Sequence, residues 1–313
     1  MMNEYDMKGI HKYMDHSVIP TDPNTTMHLA KINVITPIIS EPIRNIMDFT
    51  LLVTGVSLNT LLGLVIILNP YMHTSTNCYV MSLVFSNVLI LVEPLKQVLD
   101  WSFDINLNMN FDYMFLVSFS TSILTIILLK IEAYIVVCHK NSRLHKQLLN
   151  ISTAVKCILY VWTICVMVTV MELHLYIHFE EEVMHHIYET STIMFLVFPC
   201  FIFVMLDSFI LYDLIILKLI DGTWPSKDTK HFIFLIGITI GYVSTMIPYR
   251  VTRAIALVTE SCCSDMAIEV VYTMLKIYPL ILPITCFVIS NEFCQAIKVT
   301  LEYYQNPILY SIK

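Results

Sequence analysis

Seven long apolar blocks run through this chain of 313 residues, and no other feature limits its fold so severely. They fall at residues 46–68, 78–98, 111–138, 154–176, 190–220, 230–258 and 267–290. An α-helix needs about 20 predominantly apolar residues to cross a hydrocarbon core, and every block reaches that length. Inside a bilayer each backbone N–H and C=O has to be satisfied by the protein itself, so such blocks fold as helices. Of all residues 57% are hydrophobic and only 14% charged, where a soluble domain carries about 25% charged residues. The predicted fold is an all-α membrane bundle of seven transmembrane helices. Pro94, Pro199, Pro248, Pro279 and Pro283 lie inside the blocks. Neighbouring helices and side chains can satisfy the backbone groups that proline frees.

The placement of Lys and Arg orients the bundle. The connection after the third block holds Lys140, Arg143 and Lys146, that after the fifth holds Lys218, Lys227 and Lys230, and the tail holds Lys298 and Lys313. The alternate connections, 99–110, 177–189 and 259–266, hold neither residue type and carry Asp100, Asp104, Glu180, Glu181, Glu182, Glu189, Glu260 and Asp265 instead. This predicts an extracellular N-terminal tail over 1–45, the bundle over 46–290, and an amphipathic helix with a cytoplasmic tail over 291–313. The net charge of −7 sits largely on the outer face and implies no nucleic-acid partner. No cleavable signal sequence is visible at the polar, acidic start, so the first block is expected to direct its own insertion. Asn24-Thr25-Thr26 in the outer tail is a glycosylation sequon. Most of the nine cysteines lie within blocks, where a free thiol acts as a small hydrophobe. Cys262 and Cys263 are adjacent, a poor geometry for a bridge.

The third block ends Lys130-Ile131-Glu132-Ala133-Tyr134, and similar landmarks recur in every block. The first carries Gly55-x-x-x-Asn59. The second follows Thr74-Ser75-Thr76-Asn77 and carries Ser82-Leu83-Val84-Phe85-Ser86-Asn87. Trp101-Ser102-Phe103 stands in the first outer connection, Trp162 in the fourth block and Phe198-Pro199 in the fifth. The sixth holds Met246-Ile247-Pro248-Tyr249, and the seventh is followed by Ile289-Ser290-Asn291-Glu292-Phe293-Cys294. In order and spacing the chain resembles the class A (rhodopsin-like) G-protein-coupled receptors, from the first block to the segment after the seventh, as a divergent member. The resemblance implies a plasma-membrane receptor with an outer ligand pocket and a short eighth helix on the inner leaflet. It also implies a heterotrimeric G protein or an arrestin-like partner inside.

The departures from the family pattern cluster on its activation path. Asn87 stands where the family has an acidic, sodium-binding residue. Ala133 replaces the arginine that contacts the G protein, and Asp207 replaces the tyrosine of the fifth helix that meets it. Met246 replaces the toggle tryptophan, and Leu282-Pro283-Ile284-Thr285-Cys286 replaces Asn-Pro-x-x-Tyr. Both cysteines of the family's outer disulfide are missing. Asn306-Pro307-Ile308-Leu309-Tyr310 matches the last motif literally, but the polar run before it cannot span a membrane.

An ionisable residue inside a bilayer is costly and calls for a partner or a function. Lys130 and Asp207 lie at similar depth on the third and fifth blocks, which suggests an ion pair; the bland alternative is a lysine that snorkels to the headgroups. Lys276 lies seven residues before Pro283, the spacing of the retinal-binding lysine of opsins. That spacing allows a Schiff base or, more simply, a pocket lysine paired with an acid such as Glu93. With Asp112, Phe115, Phe119, Tyr249, Arg250 and Arg253, these residues would line the family's pocket, which suits a peptide or small polar ligand. The coupling set would be Asn87, Lys130, Glu132, Ala133, Tyr134, Asp207, Pro248 and Pro283. His174 and His178, four apart on one helix face, with His185 and His186 beyond, could meet zinc, although scattered interfacial histidines are commoner. No phosphate-binding loop, metal-hydrolase helix or nucleophile elbow occurs, and no cofactor is implied. Three readings follow: a signalling receptor, a receptor-shaped decoy or scaffold that lacks G-protein activation because of Ala133, and a retinoid-binding protein using Lys276.

Overall fold

The structure, a computed structural model, describes residues 40–105, 112–139, 142–178, 190, 194, 197–258 and 265–305. All regular structure among them is helical. The spans are α1 (Glu41–Leu68), α2 (broken into Ser75–Ile90 and Val92–Phe103), α3 (Asp112–Cys138), α4 (Ile151–His178), α5 (Phe198–Asp221), α6 (Ser226–Val258) and α7 (Asp265–Ile289). A short helix, Arg143–Leu148, links α3 to α4, and α8 (Asn291–Gln305) follows α7. Among the described residues seven helices are long and apolar enough to cross a membrane, so the protein is a multi-pass seven-helix bundle.

Local sequence sets the boundaries. α1 begins at Glu41, a turn before the apolar run, because Pro42 sits at its start, where a missing N–H goes unneeded. Thr74 caps α2, its hydroxyl accepting from the Asn77 N–H at 3.3 Å. The break in α2 falls at Leu91, where Pro94 deprives the preceding turn of a donor and crowds its carbonyls. α5 ends on Gly222, in the left-handed region at φ 72° that suits a residue without Cβ.

Burial ranks the helices. The apolar window of α3 is 61% buried and that of α4 only 17%, so α3 runs through the centre and α4 turns most of its surface to lipid. α6 packs closely on α7 through small residues, the device that lets helix backbones approach where lipid removes any hydrophobic drive. A Cβ added at Gly241 would lie 2.3 Å from Ile281 Cγ2, and one at Gly237 would lie 3.0 Å from Ile289 and Thr285. α8 buries Phe293 and Ala296 on one face, and Thr300 Oγ1 accepts from Asn69 Nδ2 at 2.9 Å, tying α8 to the end of α1.

Candidate functional site

Successive residues of a helix point about 100° apart, so Lys130 and Glu132 leave α3 in roughly opposite directions. Lys130 faces α5, where its Nζ lies 2.5 Å from Asp207 Oδ1. Its side chain is wholly buried, and Nζ also stands 5.4 Å from the centroid of the Phe203 ring. Glu132 faces α2 and accepts hydrogen bonds from the Ser75 and Thr76 hydroxyls at the start of that helix. A carboxylate at a helix N-terminus also meets the positive end of the helix dipole. Ala133, 1% exposed, fills the core between them. Tyr134, one turn beyond Lys130, packs its ring 5.9 Å from Phe209 of α5, and its Oη is hydrogen-bonded to His139 Nε2 at 3.2 Å. The ion pair read from matching depth is therefore present, and the glutamate has partners that the sequence reading did not name.

Midway through the bundle a polar seam joins α1, α2 and α7. Asn59 Nδ2 donates to the Gly55 carbonyl and to the Pro279 carbonyl, each at 2.8 Å. Asn87 Nδ2 donates to Asn59 Oδ1 at 3.0 Å. Both amides are fully buried. Asn87 thus works as a donor at the position where the family's acid would accept. Trp162 Nε1 donates to Ser82 Oγ at 3.0 Å, fixing α4 on α2. Ser86 Oγ donates to the Ser118 carbonyl at 2.7 Å and lies 2.8 Å from Ser122 Oγ, joining α2 to α3. Pro248 and Pro283 both lie inside continuous helices, as proline can in a bundle.

Towards the other end of the bundle, Lys276 Nζ lies 2.8 Å from Asp48 Oδ1 of α1. The lysine is nearly buried and the aspartate completely so. Lys276 also stands 5.1 Å from the Tyr272 ring centroid, and Tyr272 packs 6.1 Å from Tyr249 of α6. Lys276 is accordingly paired with Asp48, an acid not named from sequence, because α1 and α7 pack side by side and bring the two charges to one depth; the side chain of Glu93, the example named there, lies outside the described set. An aspartate inside the first apolar block was the available signal. Phe119 is buried against Tyr242, their ring centroids 5.7 Å apart, which puts it in the core beneath any outer pocket.

The backbones of Glu93, Asp112, Phe115, Arg250 and Arg253 lie in helices, but their side chains fall outside the described set. Asn24, Cys262, Cys263, His185, His186 and the 306–310 match also lie outside the described residues. Among the described residues no group of three His, Cys, Asp or Glu could hold a metal ion.

No curated protein gives a match. The sequence profile of the 7 transmembrane receptor (rhodopsin family) matches residues 58–286, well over half of the chain, and the matched stretch contains the Asn59–Asn87–Pro279 seam and the Lys130–Asp207 pair. The protein belongs to the rhodopsin family of seven-transmembrane receptors.

Proposed function

We propose that this receptor sits in the plasma membrane with its N-terminal tail outside, binds a peptide or small polar ligand in the outer half of the bundle, and signals to a G protein or another cytoplasmic partner. The observation that carries the reading is the buried amide seam of Asn59, Asn87 and the Pro279 carbonyl, which couples α1, α2 and α7 midway between the two membrane faces. A ligand outside can bias such a bundle only by binding one of its arrangements better than another. Glu93, Asp112, Phe115, Tyr249, Arg250, Arg253 and Lys276 are the candidate pocket residues, with Phe119 beneath them. An arrestin-recruitment screen of peptide and small-molecule ligands tests this reading without presupposing G-protein coupling. A ligand that recruits arrestin through wild type but not through a Lys276→Met variant supports it; no response to ligand classes of either kind counts against it.

A second reading, a receptor-shaped decoy or scaffold, is favoured by one feature of the inner end. Ala133 offers no guanidinium, while Glu132 is already held by Ser75 and Thr76. Nucleotide exchange on a panel of G proteins, with wild type and with Ala133→Arg, separates the two. Exchange driven by wild type rejects the decoy, whereas exchange gained only in the arginine variant supports it.

A further inference from the structure

We infer that Lys130 and Asp207 form a latch that holds the inner half of α5 against α3, so that α5 leaves α3 only when this pair breaks; the use of such a motion for signalling rests on the receptor reading above. The two sides of the pair are unequal. The Lys130 side chain has no exposure, whereas that of Asp207 keeps 25%. Swinging α5 outwards can carry Asp207 into water or headgroups, but it strands the Lys130 ammonium in the core. An unpaired buried charge is far more costly than a paired one. Among the described residues no second carboxylate stands ready, because Glu132 leaves the opposite side of α3 and is engaged by Ser75 and Thr76. The Phe203 ring steadies the cation, but it belongs to α5 and departs with Asp207.

The seam between the two helices shows where the latch acts. From Lys130 inwards it continues through the Tyr134–Phe209 ring contact. It then parts into a crevice of about 430 Å³ lined by Val137, Cys138, His139, Ser142, Asp213 and Leu217. Across the crevice the Cys138 thiol is hydrogen-bonded to the Asp213 carboxylate, a contact without a cation, so Lys130–Asp207 is the innermost ion pair between the two helices among the described residues. In the rest of the family, by the resemblance drawn above, arginine and tyrosine occupy positions 133 and 207. Here the tie has moved one turn deeper, onto a residue with no path to solvent of its own.

Backbone amide exchange, read by mass spectrometry on the full chain in lipid nanodiscs, tests the latch. Lys130→Met keeps the bulk of the side chain in the core and removes the tie. It is expected to speed exchange over Ser208 to Asp221 roughly tenfold or more while leaving α1 and α2 unchanged. Asp207→Asn is expected to do the same. Wild-type exchange in Lys130→Met overturns the inference. So does equal acceleration in every helix, since that reports lost stability and not a local opening. Should Asp207→Asn fail to fold, Lys130→Met decides alone. The readout needs neither ligand nor G protein, so failure of the receptor assays leaves it standing, and its own failure leaves them standing.

Discussion

Pro283 has no N–H, so the Pro279 carbonyl four residues earlier loses its helical donor. Asn59 reaches across from α1 and supplies one. Replacing Pro283 by Ala returns an N–H to that carbonyl and makes Asn59 partly redundant. Asn59→Ala should then cost about 1–3 kcal/mol in the parent, the range for leaving a buried polar group unsatisfied, and clearly less in the Pro283→Ala background. A double-mutant cycle by thermal unfolding in detergent checks this, and equal costs in both backgrounds would refute it. The outer ion pair makes a parallel case. Asp48→Asn removes the carboxylate that α1 offers to the Lys276 ammonium and should destabilise the protein by about 1–3 kcal/mol, while Asp48→Leu with Lys276→Met should recover most of that loss. The same unfolding assay reads both variants. Legibility differed sharply between the two ion pairs. Lys130–Asp207 could be read from depth along two helices that the family pattern makes neighbours. Lys276–Asp48 required knowing that the first and last spans close the ring side by side, which no local pattern states.

Among the elements, the helices were legible because hydropathy and length dictate them, and all seven blocks became spans. Their ends were less so: α4 and α6 each begin a few residues before the apolar run, since polar first turns are helical too. The contact between α6 and α7 was not legible at all. Gly237 and Gly241 lie four apart, on one face, but only the neighbouring helix shows that both sit at a close approach. Gly241→Ala should lower stability by about 1–3 kcal/mol through overpacking against Ile281. Gly63→Ala is the matched control, because its added Cβ would stand 3.8 Å from Met81 and Val84, an ordinary contact. It should be neutral or slightly stabilising, as alanine favours helix over glycine. Comparing the two melting temperatures checks the pair of expectations, and a Gly241→Ala protein as stable as Gly63→Ala would contradict the packing argument.

For the whole molecule, basic residues gather at one end of the bundle and acidic ones at the other, which predicts its orientation. An epitope fused to the N-terminus should be reached by antibody on intact cells. One inserted after Gly222 should be reached only after permeabilisation, and the opposite pattern would invert the topology. Asn24→Gln should abolish the gel shift produced by a peptide-N-glycosidase, since that sequon lies in the tail expected outside. Size also has a temporal side. Asp48 and Lys276 are 228 residues apart, yet each is the other's partner inside the bilayer. At roughly 5–20 residues per second, a ribosome needs on the order of ten to fifty seconds to make the intervening chain. Throughout that interval the first span carries its carboxylate without the lysine that partners it in the finished bundle. The contact therefore can lend nothing to the insertion of the first span and forms only once the seventh has been made. Chains that stop short of Lys276 would be the natural targets of membrane quality control.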